Sequence, residues 1–297
     1  MNIVAIGEIL FDIYPTKKKL GGAPLNYIYH INKILGSGTI VSRVGKDPLG
    51  QKVFEELKKF NISTEFIQQD NMHPTGVANV TLDADGNPEF EIDTERAFDY
   101  IEKTPELNEL MSSDLDCFYF GTLAQRSEVS RNTIQSFFSK KGVKYFLDLN
   151  LRNSFYDEEI LIKSLETSDV LKVNYKEMIE LNDLIVQINY NTEKVAYELM
   201  DRFNISLIAV TRGKDGATLF ENGKRYDYAN SPRKILDCTG AGDAFSAILS
   251  IGFMLGIEPF RINKLANDFA LEVCMIEGAL LKDEIVYENL KNELGLY

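Results

Sequence analysis

The sequence predicts an α/β protein built on a doubly wound, mainly parallel sheet flanked by helices, and three observations support this prediction. Short, apolar, β-rich runs alternate along the chain with longer segments of helical periodicity. Polar residues cluster just after several of these runs, at the edge where open parallel sheets bind ligands. One further stretch alternates apolar and polar residues around a strong turn, which predicts a small β element outside the main sheet.

The composition fits one domain that covers residues 1–297. Of the 297 residues, 44% are hydrophobic and 26% are charged, as in ordinary globular proteins. The formal net charge of −13 disfavours nucleic acid and anionic membranes as partners. No apolar run approaches the ~20 residues of a membrane span, and the first residues lack the basic region of a signal peptide. The three cysteines lack disulfide or metal-site spacing, so we expect a cytoplasmic protein.

The elements of the main domain follow from the apolar pattern. Five runs are predicted as strands, in chain order 3–6, 117–120, 144–147, 170–173 and 207–211. Six segments are predicted as helices, in chain order 25–35, 48–60, 129–141, 193–203, 241–255 and 261–274. The clearest apolar stripe belongs to the first helix and consists of Leu25, Ile28, Ile31 and Leu35. Because these positions are three or four residues apart, they share one helix face.

A β-hairpin is predicted outside the main sheet. Residues 77–82 and 89–92 alternate apolar and polar side chains, and residues 83–88 between them carry a strong turn signal. Together with the segment 13–20, residues 64–98 are expected to form a small β lid. An edge decoration or a contact between two copies of the chain explains the same pattern.

The most informative segment is Asp-Cys-Thr-Gly-Ala-Gly-Asp at residues 237–243, which leads into an apolar run. A glycine-rich turn at a helix start directs backbone N–H groups at one point, where the helix dipole also favours negative charge. A carboxylate beside such a site suits a base that accepts a proton while phosphate charge is stabilised. Asp243 is the candidate for that base. The alternative is an ordinary loop in which Asp243 caps the helix.

Polar clusters follow four of the predicted strands. Their members are Asp12; Asp148, Asn150 and Arg152; Asn174 and Glu177; and Arg212, Gly213 and Gly216. Each alone is explained by a helix cap or a solvated loop, but their common place at one sheet edge predicts a ligand site. Asn174 and Glu177 stand three residues apart at a helix start. That spacing suits a pair that steers hydrated Mg²⁺, although a capping pair explains it better.

Two glycines precede the first predicted helix, in the segment Gly-Gly-Ala-Pro-Leu-Asn at residues 21–26. Gly21 and Gly22 allow a ligand to approach the backbone closely, and Pro24 suits the first helical turn. Asn26 offers both a donor and an acceptor, which suits a sugar hydroxyl. A tight turn with a capping residue explains the same segment without a ligand.

With these motifs the chain resembles the ribokinase-like, PfkB-type carbohydrate kinases over essentially its whole length. The resemblance lies in the order and spacing of the segments 21–26, 45–50, 174–177, 211–216 and 237–243. Two further segments, Gly-Glu-Ile-Leu-Phe-Asp at 7–12 and Asp-Leu-Asn-Leu-Arg at 148–152, are most similar to bacterial fructokinases. The chain departs from the family where Tyr27, Ile28 and Tyr29 replace the usual small residues.

The resemblance implies a role for each matching position. Asp243 matches the catalytic base of the family. The family's anion hole corresponds to the backbone N–H groups of Gly240, Ala241 and Gly242. The sugar-facing positions are Asp12, Gly21, Gly22, Asn26 and Arg152. The nucleotide-binding positions are Asn174, Glu177, Thr211, Arg212, Gly213, Gly216 and Asn267. The metal positions are Glu177, for Mg²⁺ through water, and Asp237, for a monovalent cation such as K⁺.

The implied activity is transfer of the γ-phosphoryl group of MgATP to a primary hydroxyl of a free sugar. For a fructokinase the acceptor is fructose and the product is fructose 6-phosphate. Sister kinases for 2-keto-3-deoxygluconate, ribose or a nucleoside share most of these residues. A non-catalytic sensor of sugar or nucleotide is the alternative of another class. The expected partners are the sugar and ATP, and a homodimer through the lid.

Overall fold

The computed structural model of the chain describes residues 1–82 and 88–296. In chain order, the strands are β1 (Ile3–Ile6), β2 (Leu10–Ile13), β3 (Lys18–Gly21), β4 (Thr39–Gly45), β5 (Ile67–Asp70), β6 (Gly76–Leu82), β7 (Pro88–Ile92), β8 (Cys117–Phe120), β9 (Lys144–Asp148), β10 (Val170–Asn174), β11 (Leu207–Thr211), β12 (Ala217–Glu221) and β13 (Lys224–Tyr228). The helices are α1 (Ala23–Leu35), α2 (Pro48–Lys59), α3 (Pro105–Ser112), α4 (Glu128–Ser136), α5 (Glu158–Thr167), α6 (Tyr175–Leu181), α7 (Thr192–Phe203), α8 (Ala241–Met254), α9 (Pro259–Cys274) and α10 (Glu284–Leu294).

The main sheet is mainly parallel, as predicted. Within the described residues it has nine strands in the order β13-β12-β11-β10-β9-β8-β1-β4-β5. From β11 to β5 all neighbouring strands are parallel, and only β12 and β13 are antiparallel. The predicted strands are β1 and β8 to β11, which form the contiguous centre of this sheet. Because these strands are buried on both faces, they read as continuous apolar runs.

Helices cover both faces of the main sheet, and each face has its own apolar core. Along β1, Ile3 and Ala5 belong to the core that α1, α8, α9 and α10 cover. Val4 and Ile6 belong to the opposite core, which α4 to α7 cover. Because successive side chains of a strand point to opposite faces, an all-apolar strand serves both cores at once. This arrangement is the doubly wound fold that the sequence predicts.

A smaller sheet with the order β3-β2-β6-β7 stands apart from the main sheet. Strands β2 and β6 are parallel, and the other two pairs are antiparallel. The predicted hairpin corresponds to β6 and β7, which pair from Ala78 with Ile92 onwards. Most of its predicted turn, residues 83–87, lies outside the described residues. That this sheet acts as a lid stays a prediction.

Some element ends differ from the sequence predictions. The helix predicted over 129–141 ends as α4 at Ser136, and a single 3₁₀ turn, Phe137–Ser139, follows. Phe137 is buried, and its carbonyl accepts a hydrogen bond from the Tyr145 hydroxyl at 2.5 Å. A tertiary contact therefore replaces the next helical turn.

None of the helices in the described ranges is both long and apolar enough to span a membrane.

Candidate active site

A cavity of about 580 Å³, called here the larger cavity, opens beyond the carboxyl ends of the central strands. The small sheet contributes Leu10, Ala78 and Ile92 to its wall. The predicted site residues that line it are Asp12, Gly22, Asn26, Arg152, Asp237, Gly240, Gly242 and Asp243. The fold therefore brings together candidate residues from both ends of the chain.

Asp243 lies in the first turn of α8 and faces the larger cavity. Burial raises the pKa of Asp243 to about 7, and the neighbouring Asp148 carboxylate contributes to the increase. The Asn26 amide and the positive charges of Lys172 and Arg152 oppose this increase. A carboxyl with a pKa near neutrality exchanges a proton readily at physiological pH, which is what a general base requires.

The turn before α8 leaves backbone N–H groups available to an anion. Gly240 is the N-cap, with φ 77°, and no side chain caps the helix. The alternative in which Asp243 caps α8 therefore does not hold. Within residues 1–82 and 88–296, the N–H groups of Gly240 and Gly242 have no protein acceptor, whereas Ala241 N–H donates to Cys238 O at 3.2 Å. Two of the three predicted anion-hole donors are thus available at the positive end of the helix dipole.

Asn26 on α1 reaches Asp243 across the larger cavity. Its Nδ2 donates to Asp243 Oδ2 at 2.7 Å. Its Oδ1 is buried and has no hydrogen-bond partner in the part of the chain that the structure describes. A buried polar atom without a partner costs about 1–3 kcal/mol. This oxygen is therefore suited to accept a hydrogen bond from a ligand held beside Asp243.

Two further carboxyls, Glu8 and Asp12, line the larger cavity. Burial raises the pKa of Glu8 to about 7, although backbone hydrogen bonds and the Arg152 charge oppose the increase. Burial likewise raises the pKa of Asp12 to about 6, against the charges of Arg152 and Lys19. Gly21 supports Asp12 closely, since a Cβ at Gly21 would lie 3.2 Å from Asp12 Oδ2. Near neutral pH, these carboxyls both donate and accept hydrogen bonds.

A buried ion pair lies behind the N-terminus of α8. Lys172 Nζ on β10 donates to the two carboxylate oxygens of Asp148, at 3.0 and 3.3 Å. Asp148 Oδ2 also accepts from Tyr119 at 3.1 Å and from Ser246 at 2.8 Å. Burial alone would lower the pKa of Lys172, but the Asp148 carboxylate holds it above its usual value. A Cβ at Gly242 would lie 3.0 Å from Lys172 Nζ, so this ammonium group stands directly behind the predicted anion site.

A second cavity of about 280 Å³, the smaller cavity, lies on the other side of the same helix N-terminus. Its lining is mainly apolar and includes Phe245, Ala270 and Leu271. The predicted nucleotide-binding residues that line it are Asn174, Thr211, Gly213, Gly216 and Asn267. Cys238 and Gly242 line both cavities. Two ligands bound in the two cavities would therefore meet at the start of α8.

Arg212 was predicted beside these residues, but it does not line the smaller cavity within the described structure. Its guanidinium donates instead to the Thr218 hydroxyl, on the neighbouring strand β12. The sharp turn between Arg212 and Thr218 contains Gly216, whose φ of 92° is a conformation that favours glycine. A Cβ at Gly216 would lie 2.0 Å from Tyr228 O.

Asn174 and Glu177 form the capping pair that their spacing favours. Asn174 Oδ1 accepts from the N–H groups of Lys176 and Glu177, and Glu177 Oε2 accepts from Asn174 N–H at 2.7 Å. Glu177 Oε1 accepts from Leu151 N–H at 3.0 Å, which ties the chain after β9 to the end of β10. Burial raises the pKa of Glu177, against the charge of Lys172. A role for Glu177 toward Mg²⁺ stays a prediction.

Asp237 has a full set of partners. Its Oδ1 accepts from Thr239 N–H at 2.9 Å, and its Oδ2 accepts from Gly278 N–H at 2.9 Å. Lys19 Nζ on β3 also donates to Oδ2, at 2.9 Å. Burial would raise the pKa of Asp237, but the hydrogen bonds from Thr239, Lys19 and Gly278 hold it well below its usual value. The carboxylate is thus ionised and already has a positively charged neighbour.

Comparison with known proteins decides the family. Residues 2–281 match the pfkB family of carbohydrate kinases. The chain is a member of this carbohydrate kinase family. The fructokinase of Escherichia coli is 25% identical to this kinase over 270 residues, which cover 84% of each chain.

Solved structures share the fold of this kinase. An uncharacterised sugar kinase from Pyrococcus horikoshii, in complex with ATP, matches with a TM-score of 0.81 and 26% identity, over 98% of this chain and 99% of that one. A fructokinase double mutant from Vibrio cholerae, bound to fructose, ADP and a potassium ion, matches with a TM-score of 0.80 and 21% identity. That match covers 98% of each chain.

Sequence reasoning missed two residues of this kinase that line the larger cavity, Glu8 and Lys172. Glu8 belongs to the opening motif but was not assigned a role. Lys172 carried a signal, because it interrupts the apolar strand β10 that both cores bury. A lysine in such a strand needs a buried carboxylate partner, and Asp148 follows the neighbouring run. The sequence does not show which carboxylate that is.

The bulky residues that follow Asn26, where the family usually has small ones, do not line the larger cavity. Tyr27 is fully buried and stacks on Tyr119, with 3.9 Å between ring centroids. Its hydroxyl forms a hydrogen bond with Ser250 at 2.8 Å. Tyr29 is also buried, and its hydroxyl donates to Leu281 O at 2.8 Å. These bulky residues therefore fill the core beneath α1.

Proposed function

We propose that this kinase transfers the γ-phosphoryl group of MgATP to a primary hydroxyl of a neutral free sugar, with fructose as the preferred acceptor. The observation that carries the proposal is the position of Asp243. Its carboxyl faces the larger cavity from the first turn of α8, the helix whose N-terminus both cavities share.

The chemistry follows from this arrangement. The sugar would occupy the larger cavity with its primary hydroxyl beside Asp243, and ATP would occupy the smaller cavity. The hydroxyl oxygen forms a bond to the γ-phosphorus while the bond to the ADP oxygen breaks, and Asp243 takes the proton. The N–H groups of Gly240 and Gly242 stabilise the charge on the transferring group, and Lys172 lies behind them. ADP and the sugar phosphate are the products.

Mg²⁺ enters this reaction with ATP, as part of the substrate. Within the described residues, no group of three or more His, Cys, Asp or Glu side chains could hold a metal ion alone. This suits an ion held by phosphate oxygens and water, as Mg²⁺ commonly is. Both oxygens of Glu177 already accept backbone hydrogen bonds, which argues against a direct bond to the ion. We propose an indirect contact, through water, for Glu177 and Asn174.

The charges around the larger cavity favour a neutral sugar over a sugar acid. Four carboxyls, those of Glu8, Asp12, Asp237 and Asp243, line it, against the two positive side chains of Arg152 and Lys172. An acidic sugar such as 2-keto-3-deoxygluconate would bring a further negative charge against these groups. A ketose instead offers hydroxyls, which pair with carboxyls in either protonation state. The small sheet, which forms part of the wall, would exclude water as a lid.

A coupled assay that detects ADP tests the substrate. The panel consists of fructose, ribose, 2-keto-3-deoxygluconate, tagatose and adenosine, each with MgATP. We expect the highest kcat/KM for fructose. A higher value for 2-keto-3-deoxygluconate would refute the argument from cavity charge. If none of the compounds in the panel leads to ATP consumption, the result would instead favour a sensor of sugar or nucleotide.

Asp243→Asn tests the proposed base. We expect kcat to fall by roughly 10²–10⁴-fold, while binding of the sugar, measured by calorimetry, changes little because the amide keeps the shape of the carboxyl. Asp201→Asn, an exposed change on α7, is the matched control and should leave kcat unchanged. Near wild-type turnover in Asp243→Asn would remove Asp243 from this role.

A further inference from the structure

We propose that the Lys19 ammonium group acts as a built-in cation at the turn before α8 and makes this kinase independent of an added monovalent cation. The inference rests on the proposed kinase reaction. It replaces the expectation that a monovalent cation binds Asp237.

The first observation is the way Lys19 is held. Lys19 Nζ lies 2.9 Å from Asp237 Oδ2 and 3.4 Å from Glu277 Oε1. The ring of Tyr14 lies beneath it, with its centroid 5.2 Å from Nζ. The side chains of Lys19 and Asp237 are only about one-fifth exposed. Asp237 and an aromatic face therefore lie against this charge in a partly desolvated place, while the more exposed Glu277 is shared with Lys17.

The second observation is that Asp237 has little capacity left for a metal ion. Its two oxygens already accept from Thr239 N–H, Gly278 N–H and Lys19 Nζ. A potassium ion in contact with Oδ2 would stand next to the Lys19 ammonium group and would be repelled by it. The residues present therefore do not fit K⁺ at this carboxylate while Lys19 remains there.

The third observation links this pair to the phosphoryl site. Asp237 lies three residues before Gly240, the N-cap of α8. Its Oδ1 holds the turn through Thr239, and its Oδ2 holds the loop through Gly278. An unneutralised carboxylate here would oppose a phosphate at the same helix N-terminus. Lys19 neutralises it, so we assign Lys19 as a positioning residue for the anion site.

Lys19 also connects the two sheets of the molecule. It lies on β3 of the small sheet, directly across from Asp12 on β2. Its partner Asp237 belongs to the turn that leads into α8. The ion pair therefore joins the small sheet, which bears the sugar-facing Asp12, to the turn that bears the anion site.

The test measures kcat for the wild type and for Lys19→Met. Each protein is assayed in potassium chloride and in tetramethylammonium chloride at equal ionic strength. We expect potassium to change the wild-type kcat by less than about twofold. Without potassium, kcat of Lys19→Met should be lower than that of the wild type by roughly 10-fold or more, because a charge-assisted contact to Asp237 is lost. Potassium should restore part of that loss. Lys18→Met, an exposed change on the same strand, is the control and should behave as the wild type.

A thermal melt gives a readout that does not depend on turnover. Potassium should raise the melting temperature of Lys19→Met but not that of the wild type or of Lys19→Arg, since a ligand stabilises only the protein that binds it. Strong activation or stabilisation of the wild type by potassium would overturn the proposal. So would a Lys19→Met protein that ignores potassium in both measurements. A wild type that phosphorylates no sugar would contradict the proposed function, while the melts would still decide the role of Lys19.

Discussion

At the scale of single residues, the central feature is a carboxyl whose surroundings are set by others. Burial and the Asp148 carboxylate raise the pKa of Asp243, Asn26 and Lys172 oppose the increase, and the resulting pKa is about 7. The proposed base must be deprotonated to accept a proton, so kcat/KM should fall as the pH drops below about 7. Because Glu8 and Asp12 titrate in the same cavity, the apparent pKa belongs to the whole cluster.

Two substitutions should move this pH dependence in opposite directions. Asp148→Asn removes a negative neighbour of Asp243 and should shift the acidic limb of kcat/KM to lower pH. Lys172→Met removes a positive neighbour and should shift the limb to higher pH, by roughly half a pH unit or more in each case. Thermal melts show whether each buried change still folds. Shifts of the same sign in both variants would exclude direct electrostatic control of Asp243.

At the scale of elements, the start of α8 explains why two glycines stand in one turn. Gly240 has a positive φ, and a Cβ there would lie 2.1 Å from Ala279 Cβ. Gly242 has helical backbone geometry, and its Cβ would meet only the end of the Lys172 side chain, at 3.0 Å. Gly240 is thus required by the fold, whereas we attribute the glycine at position 242 to the phosphoryl group that we propose binds in front of Lys172.

Alanine at these two positions should separate folding from turnover. Gly240→Ala should lower the free energy of unfolding by about 1–3 kcal/mol, because the backbone is strained and the methyl group collides with Ala279. Gly242→Ala should change stability by less than about 1 kcal/mol. It should still lower kcat, because a methyl group would stand between the ammonium group and the phosphoryl group. Urea denaturation and initial rates measure both effects. Full turnover in Gly242→Ala would argue against the anion site.

At the scale of the whole molecule, the raised carboxyl pKa values make stability depend on pH. Glu8, Asp12 and Asp243 hold protons in the folded state at a pH where the unfolded chain has released them. Their contribution to stability is fully present below about pH 4 and is lost as the pH rises through about 6 to 7. Asp237 acts in the opposite sense, because its lowered pKa makes stability fall in acid.

The stability profile of Asp243→Asn should reveal this contribution. The variant has no carboxyl to ionise at this position, so it should gain stability relative to the wild type as the pH rises from 4 to 7. The gain should reach roughly 2–4 kcal/mol above pH 7. Urea denaturation at a series of pH values gives the difference. A constant difference across that range would contradict the raised pKa.

The sequence supported the prediction of the centre of the fold more fully than its margins. Strands β1 and β8 to β11 are buried on both faces, so continuous apolar runs reveal them. Strand β4 was not predicted, although it pairs with β1 in the same sheet. Arg43 and the glycine at its end weaken its apolar run, and Arg43 is paired with Asp70 only after folding. Partners that lie far apart in sequence leave no local signal.

By itself, the sequence determined the five central strands and six of the ten described helices. It also placed Asp243, Gly240 and Gly242 at a helix start, because periodicity and turn chemistry act over a few residues. Only the tertiary structure decided that Lys172 stands behind that helix and that Lys19 reaches Asp237. It also decided the raised pKa of Asp243. Burial and charge pairing depend on distances through space, and those distances exist only once both sheets and α8 have packed together.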